Sequence, residues 1–290
     1  MAKLCKTILE PSPLNLALHP CVNIVVTVVR LLAPLLFIVS NVYPSPTLRP
    51  ETASAFDRYI EAVEAAMGRD VDTGHFLDID RNVMEKGKLR DGEVRIDPGA
   101  APEDIAVTGG MIQDWRGTMF IPSVTIQAVK AVLQDYDNYK QFYKPDVIES
   151  KQLAHHDDEY DIFLRLRKKQ ILTVVLNTEY RVRYSLPEPR HMSVWSRSTR
   201  IAEVKNADRS LTEEEPVGRD SGFLWRLNSY WRFEEADGGV YAECRAISLS
   251  RDVPLGLGWM IKGFVTKFPK ESMQNTLRGT KAAVERHSSF

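Results

Sequence analysis

Alternation of apolar and polar residues dominates the second half of the chain. It recurs with a period of two in six segments joined by short connections, which is typical of half-buried strands. Because no helical pattern separates these segments, they predict an antiparallel sheet. A further strand precedes them at 111–122 and stops at Pro122. The six segments are 147–156, 159–169, 171–186, 191–206, 223–235 and 240–253.

Apolar residues at helical spacing predict three helices. The first covers 51–68 and stops at Gly68, and the second covers 123–143, with Ser123 as its cap and a break at 135–138. The third covers 255–287, and Pro269 kinks or divides it. The apolar faces are Phe56, Tyr59, Ile60, Val63 and Met67 in the first helix and Ile126, Val129, Val132, Leu133 and Tyr136 in the second.

Three short segments between the first helix and the strand at 111–122 have the composition of strands. They lie at 75–80, 87–96 and 105–109, and Asp91-Gly92 predicts a hairpin turn within the middle one. This region is therefore predicted to be a small β extension ahead of the main domain.

One hairpin can be assigned in register from the sequence. Asp237-Gly238 suits a two-residue type I′ turn, in which both central residues need a positive φ. That turn pairs 233 with 242, 231 with 244, 229 with 246 and 227 with 248. One face then carries Leu227, Trp231, Phe233, Ala242, Cys244 and Ala246. The opposite face, with Arg232 paired to Glu243 and Tyr230 beside Arg245, is predicted to face solvent.

The first 45 residues differ from the rest. Lys3 and Lys6 precede an apolar run, residues 22–39, that only Arg30 and Pro34 interrupt. This pattern predicts an export signal or membrane anchor at 1–44, which would place the protein outside the cytoplasm. The alternatives are a buried helix or a wrongly assigned start site, which would leave the protein in the cytoplasm. The remaining chain divides into the extension at 45–110 and a main domain at 111–290.

Composition narrows the classes of partner. The formal net charge of the 290-residue chain is −1, so no basic surplus predicts nucleic-acid binding. Three cysteines, Cys5, Cys21 and Cys244, make neither a disulfide scaffold nor a zinc motif, and no phosphate-binding loop is present. Adjacent His155 and His156 fit a hairpin turn better than a metal site, because their side chains point apart on an extended chain. No cofactor, metal or catalytic residue is therefore predicted.

The order of elements predicts an α+β fold in which a curved antiparallel sheet wraps a long C-terminal helix. If small residues on the inner face lie opposite the helix, the interior does not fill, and a cavity for an apolar ligand remains. Asn177 and Glu179 would form a polar end of this cavity if they pointed inward.

The layout resembles the START-like (SRPBCC) superfamily, whose helix-grip fold occurs in lipid-transfer domains, polyketide cyclases and coenzyme Q-binding proteins. The resemblance rests on 115–122, 125–145, 225–254 and 268–279 within the domain at 111–287. It implies a hydrophobic ligand, such as a lipid or a quinone, held between the sheet and the last helix. The ligand-binding residues implied in this way are Trp195, Leu227, Trp231, Phe233, Cys244, Ala246, Trp259, Phe264 and Met273.

Three functions follow from this resemblance. The first is binding or transport of a hydrophobic small molecule, with membrane association through 22–39. The second is an enzyme of the polyketide cyclase or aromatase type, which needs polar groups converging inside the cavity. The third is a protein-interaction domain whose cavity has collapsed.

Overall fold

A computed structural model of the chain describes residues 46–99, 104–169, 173–207, 211–252 and 268–288. The segment 22–39, Trp259 and Phe264 lie outside these residues, as does most of the apolar beginning predicted for the last helix. None of the helices among the described residues is both long and apolar enough to cross a membrane.

Five helices and nine strands are defined within the described residues. The helices are α1 (Pro50–Asp72), α2 (Val83–Arg90), α3 (Ile126–Gln134), α4 (Tyr139–Phe142) and α5 (Phe268–His287), with short 3₁₀ turns at Asp78–Arg81 and Tyr136–Asn138. The strands are β1 (Arg95–Pro98), β2 (Asp104–Val107), β3 (Gly110–Pro122), β4 (Val147–His156), β5 (Glu159–Lys169), β6 (Thr173–Glu188), β7 (His191–Glu203), β8 (Arg226–Ala236) and β9 (Gly239–Arg251).

The strands form one antiparallel sheet, as predicted, in the order β1-β3-β9-β8-β7-β6-β5-β4, with β2 also paired to β3. The sheet curves around α5. On one side α5 packs on β3, where Leu277 lies over Gly117. On the other side Asn275 Nδ2 donates to Asp146 Oδ2, beside the start of β4, at 3.4 Å. The fold is therefore α+β, with an antiparallel sheet wrapped around its C-terminal helix.

The hairpin of β8 and β9 has the predicted register. Phe233 pairs with Ala242, Trp231 with Cys244 and Leu227 with Ser248. Asp237 and Gly238 have φ angles of 54° and 77°, as a type I′ turn requires. The turn residues were sufficient to predict the register, because a two-residue loop fixes which residues of the two strands are paired.

The prediction that the other face of this hairpin is solvated is wrong. Tyr230, Arg232, Glu243 and Arg245 are all buried, because α1 and residues 76–89 cover this outer face of the sheet. The covering contacts are both apolar and polar. Phe56, Ile60, Val63 and Met67 of α1 pack against Ile112, Trp225, Tyr230, Ile247 and Leu249 of the sheet and its loop.

Charged groups on the outer face are paired or hydrogen-bonded. Arg245 forms a two-point ion pair with Asp114, which also accepts a 2.7 Å hydrogen bond from the Tyr59 hydroxyl of α1. Arg232 donates to the Met67 and Phe76 carbonyls at 2.7 and 2.8 Å. The ion pair joins β9 to β3, whereas the bonds of Tyr59 and Arg232 tie the sheet to α1 and to the segment that follows it.

Several local predictions need correction. Residues 75–80 are not a strand but include a 3₁₀ turn, and 87–96 is not a hairpin, because its first half belongs to α2, which Asn82 caps by accepting from Glu85 N. Helix α1 runs past Gly68 to Asp72, and Gly74, with φ 80°, follows its end.

The N-cap of α3 lies two residues after the predicted one. Thr125 Oγ1, not Ser123, accepts from Ala128 N at 3.3 Å. Ser123 itself has a φ of 58° in the turn after β3. The predicted break after α3 is confirmed, since the 3₁₀ turn separates α3 from α4.

Candidate functional site

A cavity of about 320 Å³ lies between the inner face of the sheet and α5. Strands β5 to β9, the α3–α4 region and the first turns of α5 contribute its walls. Its lining is mostly apolar and aromatic. Aliphatic lining residues are Leu133, Val147, Ile162, Leu164, Leu166, Val174, Leu176, Val182, Val194, Leu224, Leu227, Ala246 and Met273.

Small side chains on β8 and β9 explain why space remains. Ser229 pairs with Ala246, and Leu227 pairs with Ser248, so the centre of the inner face has little volume. Helix α5 cannot fill this space, because it is seated on β3 instead. A Cβ atom at Gly117 would come within 2.5 Å of Leu277 Cδ1 and 2.9 Å of Met273 Cγ. Within the described residues, the helix therefore packs closely at β3, and the cavity separates it from the middle of the sheet.

Five tyrosines form one wall of the cavity, namely Tyr136, Tyr139, Tyr143, Tyr180 and Tyr184. The hydroxyls of Tyr136 and Tyr184 are 2.8 Å apart. Tyr184 also donates to the Leu133 carbonyl at 3.0 Å, and Tyr139 donates to the same carbonyl at 2.5 Å. These bonds satisfy the phenols at the junction of α3, α4 and β6.

Burial keeps these phenols protonated. It raises the pKa of Tyr143 to about 12 and that of Tyr180 to about 12, and it raises the pKa of Tyr136 as well. The wall therefore offers neutral hydroxyls that can donate to or accept from a ligand, and none of them is a base near neutral pH.

A charged pair marks another part of the lining. Lys168 at the end of β5 forms an ion pair with Asp146, which also accepts the bond from Asn275 of α5. Burial lowers the pKa of Lys168, while the hydrogen bond to Asp146 opposes that effect. The two side chains are each about one-fifth exposed (20% and 19%), which indicates a polar rim rather than a dry interior.

Cys244 lies in the lining as a free thiol. Burial raises its pKa, with a smaller contribution from the neighbouring Glu243 carboxylate. A thiol nucleophile needs the opposite shift, so Cys244 acts as a small apolar group here.

Five of the nine residues implied by the resemblance line the cavity together: Leu227, Trp231, Cys244, Ala246 and Met273. Phe233 is fully buried in the adjoining core and stacks on Trp231 with ring centroids 5.3 Å apart. Trp195 does not line the cavity. It pairs with Tyr230 on the outer face and packs edge-on against that ring. Trp259 and Phe264 lie outside the described residues.

The polar candidates of β6 do not form an end of the cavity. The even-numbered residues of this strand, such as Tyr180, Val182 and Tyr184, face inward. Asn177 is on the outer side, where it accepts from Arg165 Nε at 2.7 Å and donates to Glu214 at 2.7 Å.

Sequence reasoning missed the tyrosine wall, although the alternation of Tyr180, Val182 and Tyr184 beside the stripe containing Tyr136 was a usable signal.

Solved structures similar to this chain include a STAR-related lipid transfer protein from Xanthomonas axonopodis. It is 16% identical, with a TM-score of 0.44 over 62% of this chain and 96% of that one. An aromatase/cyclase from Streptomyces sp. R1128 is 10% identical, with a TM-score of 0.45 over 60% of this chain and 94% of that one. No family model and no curated protein matches the chain. These two neighbours are the kinds of protein that the sequence resembles, but at such TM-scores function has to be argued from the cavity itself.

Proposed function

We propose that the chain binds a hydrophobic small molecule in the cavity between the sheet and α5. The observation that carries this proposal is the cavity of about 320 Å³ with a predominantly aliphatic and aromatic lining. Such a volume lies at the small end of the range of roughly 300–1,000 Å³ that is usual for ligand pockets. Apolar walls bind a ligand because they bury its apolar surface, and a few polar groups orient the ligand through hydrogen bonds.

The size and polarity of the cavity favour a compact guest. A volume of about 320 Å³ is near the lower limit of the usual range for ligand pockets. A single acyl chain or a small fused-ring molecule suits this space better than a lipid with two long chains. The Tyr136–Tyr184 hydroxyls and the Lys168–Asp146 pair suit a guest that carries a carbonyl or hydroxyl oxygen, as a quinone or a polyketide does. Transport to or from a membrane through residues 22–39 is part of the same proposal.

Mass spectrometry of the purified full chain tests this proposal. Native spectra and organic extraction should reveal a copurifying apolar compound, or uptake of an added fluorescent naphthalene dye at one molecule per chain. In the variant Ala246→Leu the new side chain enters the cavity and should lower dye affinity at least tenfold. The three added carbons occupy about 90 Å³, taking roughly 30 Å³ for each water-sized group.

The matched control is Ala62→Leu, which places the same side chain on the exposed side of α1. Its dye affinity should equal that of the wild-type protein. A wild-type chain that neither copurifies with an apolar compound nor takes up the dye would overturn the proposal, and so would equal affinity in Ala246→Leu.

A cyclase or aromatase is the second candidate, because the lining includes polar side chains. Ser196, Ser229, Gln113 and the Lys168–Asp146 pair all border the cavity. The protonated state of the phenols counts against them as bases, which leaves Lys168, whose pKa burial lowers while the hydrogen bond to Asp146 opposes that effect, as the candidate base. The same mass spectra separate the two functions. Cyclisation with aromatisation releases water and lowers the mass of an added polyketide, whereas a binding protein returns its ligand unchanged.

A further inference from the structure

A lysine of β5 belongs to the inner face of the sheet. Arg167 and Lys169 are exposed on the outer face, whereas Lys168 borders the hydrophobic cavity. Because side chains alternate across a strand, Lys168 continues an otherwise apolar inner stripe. Its partner on β6, Val174, also borders the cavity. The other cavity-lining residues of this stripe are Ile162, Leu164 and Leu166.

A carboxylate lies beside the Lys168 amine. Asp146 Oδ2, just before β4, accepts from Lys168 Nζ and, at 3.4 Å, from Asn275 Nδ2 of α5. All three residues border the cavity. The side chains of Lys168 and Asp146 are 20% and 19% exposed. The amine therefore lies where the apolar interior meets solvent, next to a carboxylate that α5 also binds.

The surroundings of Lys168 favour an unprotonated amine more than water does. Burial lowers the pKa of this lysine, although the hydrogen bond and charge of Asp146 and the charge of Glu271 oppose that effect. Desolvated lysines of this kind attack carbonyl compounds. Burial raises the pKa of Cys244 and Tyr143 in the same lining, so neither supplies an anionic nucleophile near neutral pH.

We propose that Lys168 captures an apolar aldehyde or ketone in the cavity as an imine. The nitrogen of the unprotonated amine attacks the carbonyl carbon. A C=N bond then replaces the C=O bond, and the carbonyl oxygen leaves as water with the two hydrogens of the amine. Protonation of the imine gives an iminium ion, whose positive charge Asp146 neutralises as it does that of the ammonium group. The reaction is reversible and needs no oxidant or reductant.

The cavity supports such a bond in two ways. Its apolar lining excludes water, which opposes hydrolysis of the imine. A ligand joined to Lys168 also extends over the neighbouring side chains Leu166 and Leu164, which bury its apolar part. This inference rests on the proposed function, because the ligand has to enter the cavity before it reacts. An alcohol of the same shape can occupy the cavity but cannot form the bond.

Reductive trapping of naphthaldehyde tests the bond. Sodium cyanoborohydride reduces an iminium ion to a stable secondary amine, so the full chain with one equivalent of the aldehyde at neutral pH should gain one naphthylmethyl group. Mass spectrometry of proteolytic peptides should find this group on Lys168 at least tenfold more often than on any exposed lysine. An ordinary exposed lysine has a pKa of about 10.4 and is almost fully protonated at this pH.

Two matched variants accompany the wild-type chain. Lys168→Arg keeps a positive charge beside Asp146 but has no amine that forms an imine, so it should lose the label. Lys169→Arg changes the exposed neighbour on the outer face and should be labelled as the wild-type chain is. Naphthalenemethanol, the alcohol of matching shape, should bind all three chains with similar affinity, which shows that each variant retains its fold and cavity.

The outcomes separate the imine from the proposed function. Label spread evenly over exposed lysines, or undiminished labelling of Lys168→Arg, would overturn the imine. If the wild-type chain binds naphthalenemethanol but traps no aldehyde at Lys168, covalent capture is wrong and the proposed function stands. If the alcohol does not bind either, the proposed function fails together with the imine.

Discussion

The inner face of the sheet contacts α5 mainly through apolar side chains, with a few hydrogen bonds such as that from Lys281 Nζ to the Phe120 carbonyl at 3.0 Å, and about 320 Å³ remains unfilled. The outer face contacts α1 and residues 76–89, and there buried charges accompany the apolar contacts. Asp114 and Arg245 pair beneath α1, and Arg232 reaches main-chain carbonyls of Met67 and Phe76. Both faces are buried among the described residues, and the cavity of about 320 Å³ lies on the inner one.

The two faces differ because polar contacts fix the position of a covering helix more strictly than apolar contacts do. An unpaired buried charge is costly, so α1 must lie where Tyr59 and the Met67 carbonyl meet their partners. Apolar contacts have no such directional requirement, so α5 can pack on β3 while the cavity separates it from the small residues of β8 and β9. We infer that the outer face fixes the sheet and its cover rigidly, while the inner face is free to accept a guest.

Removal of Asp114 should break the outer face most severely. In Asp114→Ala the Arg245 guanidinium stays buried, with a side chain only 10% exposed, after losing its ion pair. Loss of one partner of a buried pair costs about 3–5 kcal/mol, so the free energy of unfolding in urea should fall by that amount.

An exposed pair of the same chemistry supplies the control. Asp161 and Arg181 form a two-point ion pair on β5 and β6 with side chains 35% and 59% exposed. Asp161→Ala should cost less than about 1 kcal/mol. Similar losses in the two variants would mean that the outer face gains no rigidity from its buried charges.

The pH dependence of stability sharpens the comparison through Glu243. Burial raises the pKa of this carboxyl from 4.5 to about 7, while Arg116 and Arg232 partly oppose the effect and Asp78 adds to it. Because the folded pKa is the higher one, the folded protein holds a proton between pH 4.5 and 7 that the unfolded chain has lost. This stabilising contribution is complete below pH 4.5 and is lost as the pH rises through 7.

The variant Glu243→Gln isolates that contribution. Relative to the wild-type protein, it should gain roughly 3 kcal/mol between pH 4.5 and pH 8, at about 1.4 kcal/mol per pH unit. Urea unfolding at both pH values measures this gain. Glu93→Gln changes an exposed carboxyl and should show no such gain. A constant difference between Glu243→Gln and wild type across this range would exclude a buried, proton-binding Glu243.

Sequence alone predicted the sheet and the pairing of β8 with β9, because alternation and a two-residue turn are local signals. It could not predict that another part of the chain covers the polar face of this hairpin. The alternating pattern that contains Arg232 and Glu243 is the same whether this face contacts water or a helix. Trp195 was placed on the wrong side of the sheet because Val194 and Trp195 are consecutive apolar residues, between which alternation cannot choose. The tyrosine wall was missed because its residues come from the α3–α4 region and from β6. These segments are distant in the sequence and meet only in the folded protein.

The smallest expected effect concerns the point where α5 is seated on β3. In Gly117→Ala the new methyl group would meet Leu277 Cδ1 at 2.5 Å and Met273 Cγ at 2.9 Å, so α5 side chains must shift. Overpacking of this kind costs about 1–3 kcal/mol, which urea unfolding would detect.

The control Gly87→Ala adds a methyl group to α2, where the nearest atom is 3.9 Å away. It should stabilise the protein by about 0.5–1 kcal/mol, because alanine favours the helix more than glycine does. If Gly117→Ala were as well tolerated as Gly87→Ala, α5 would not be held closely on β3, and the cavity would not be explained by where that helix sits.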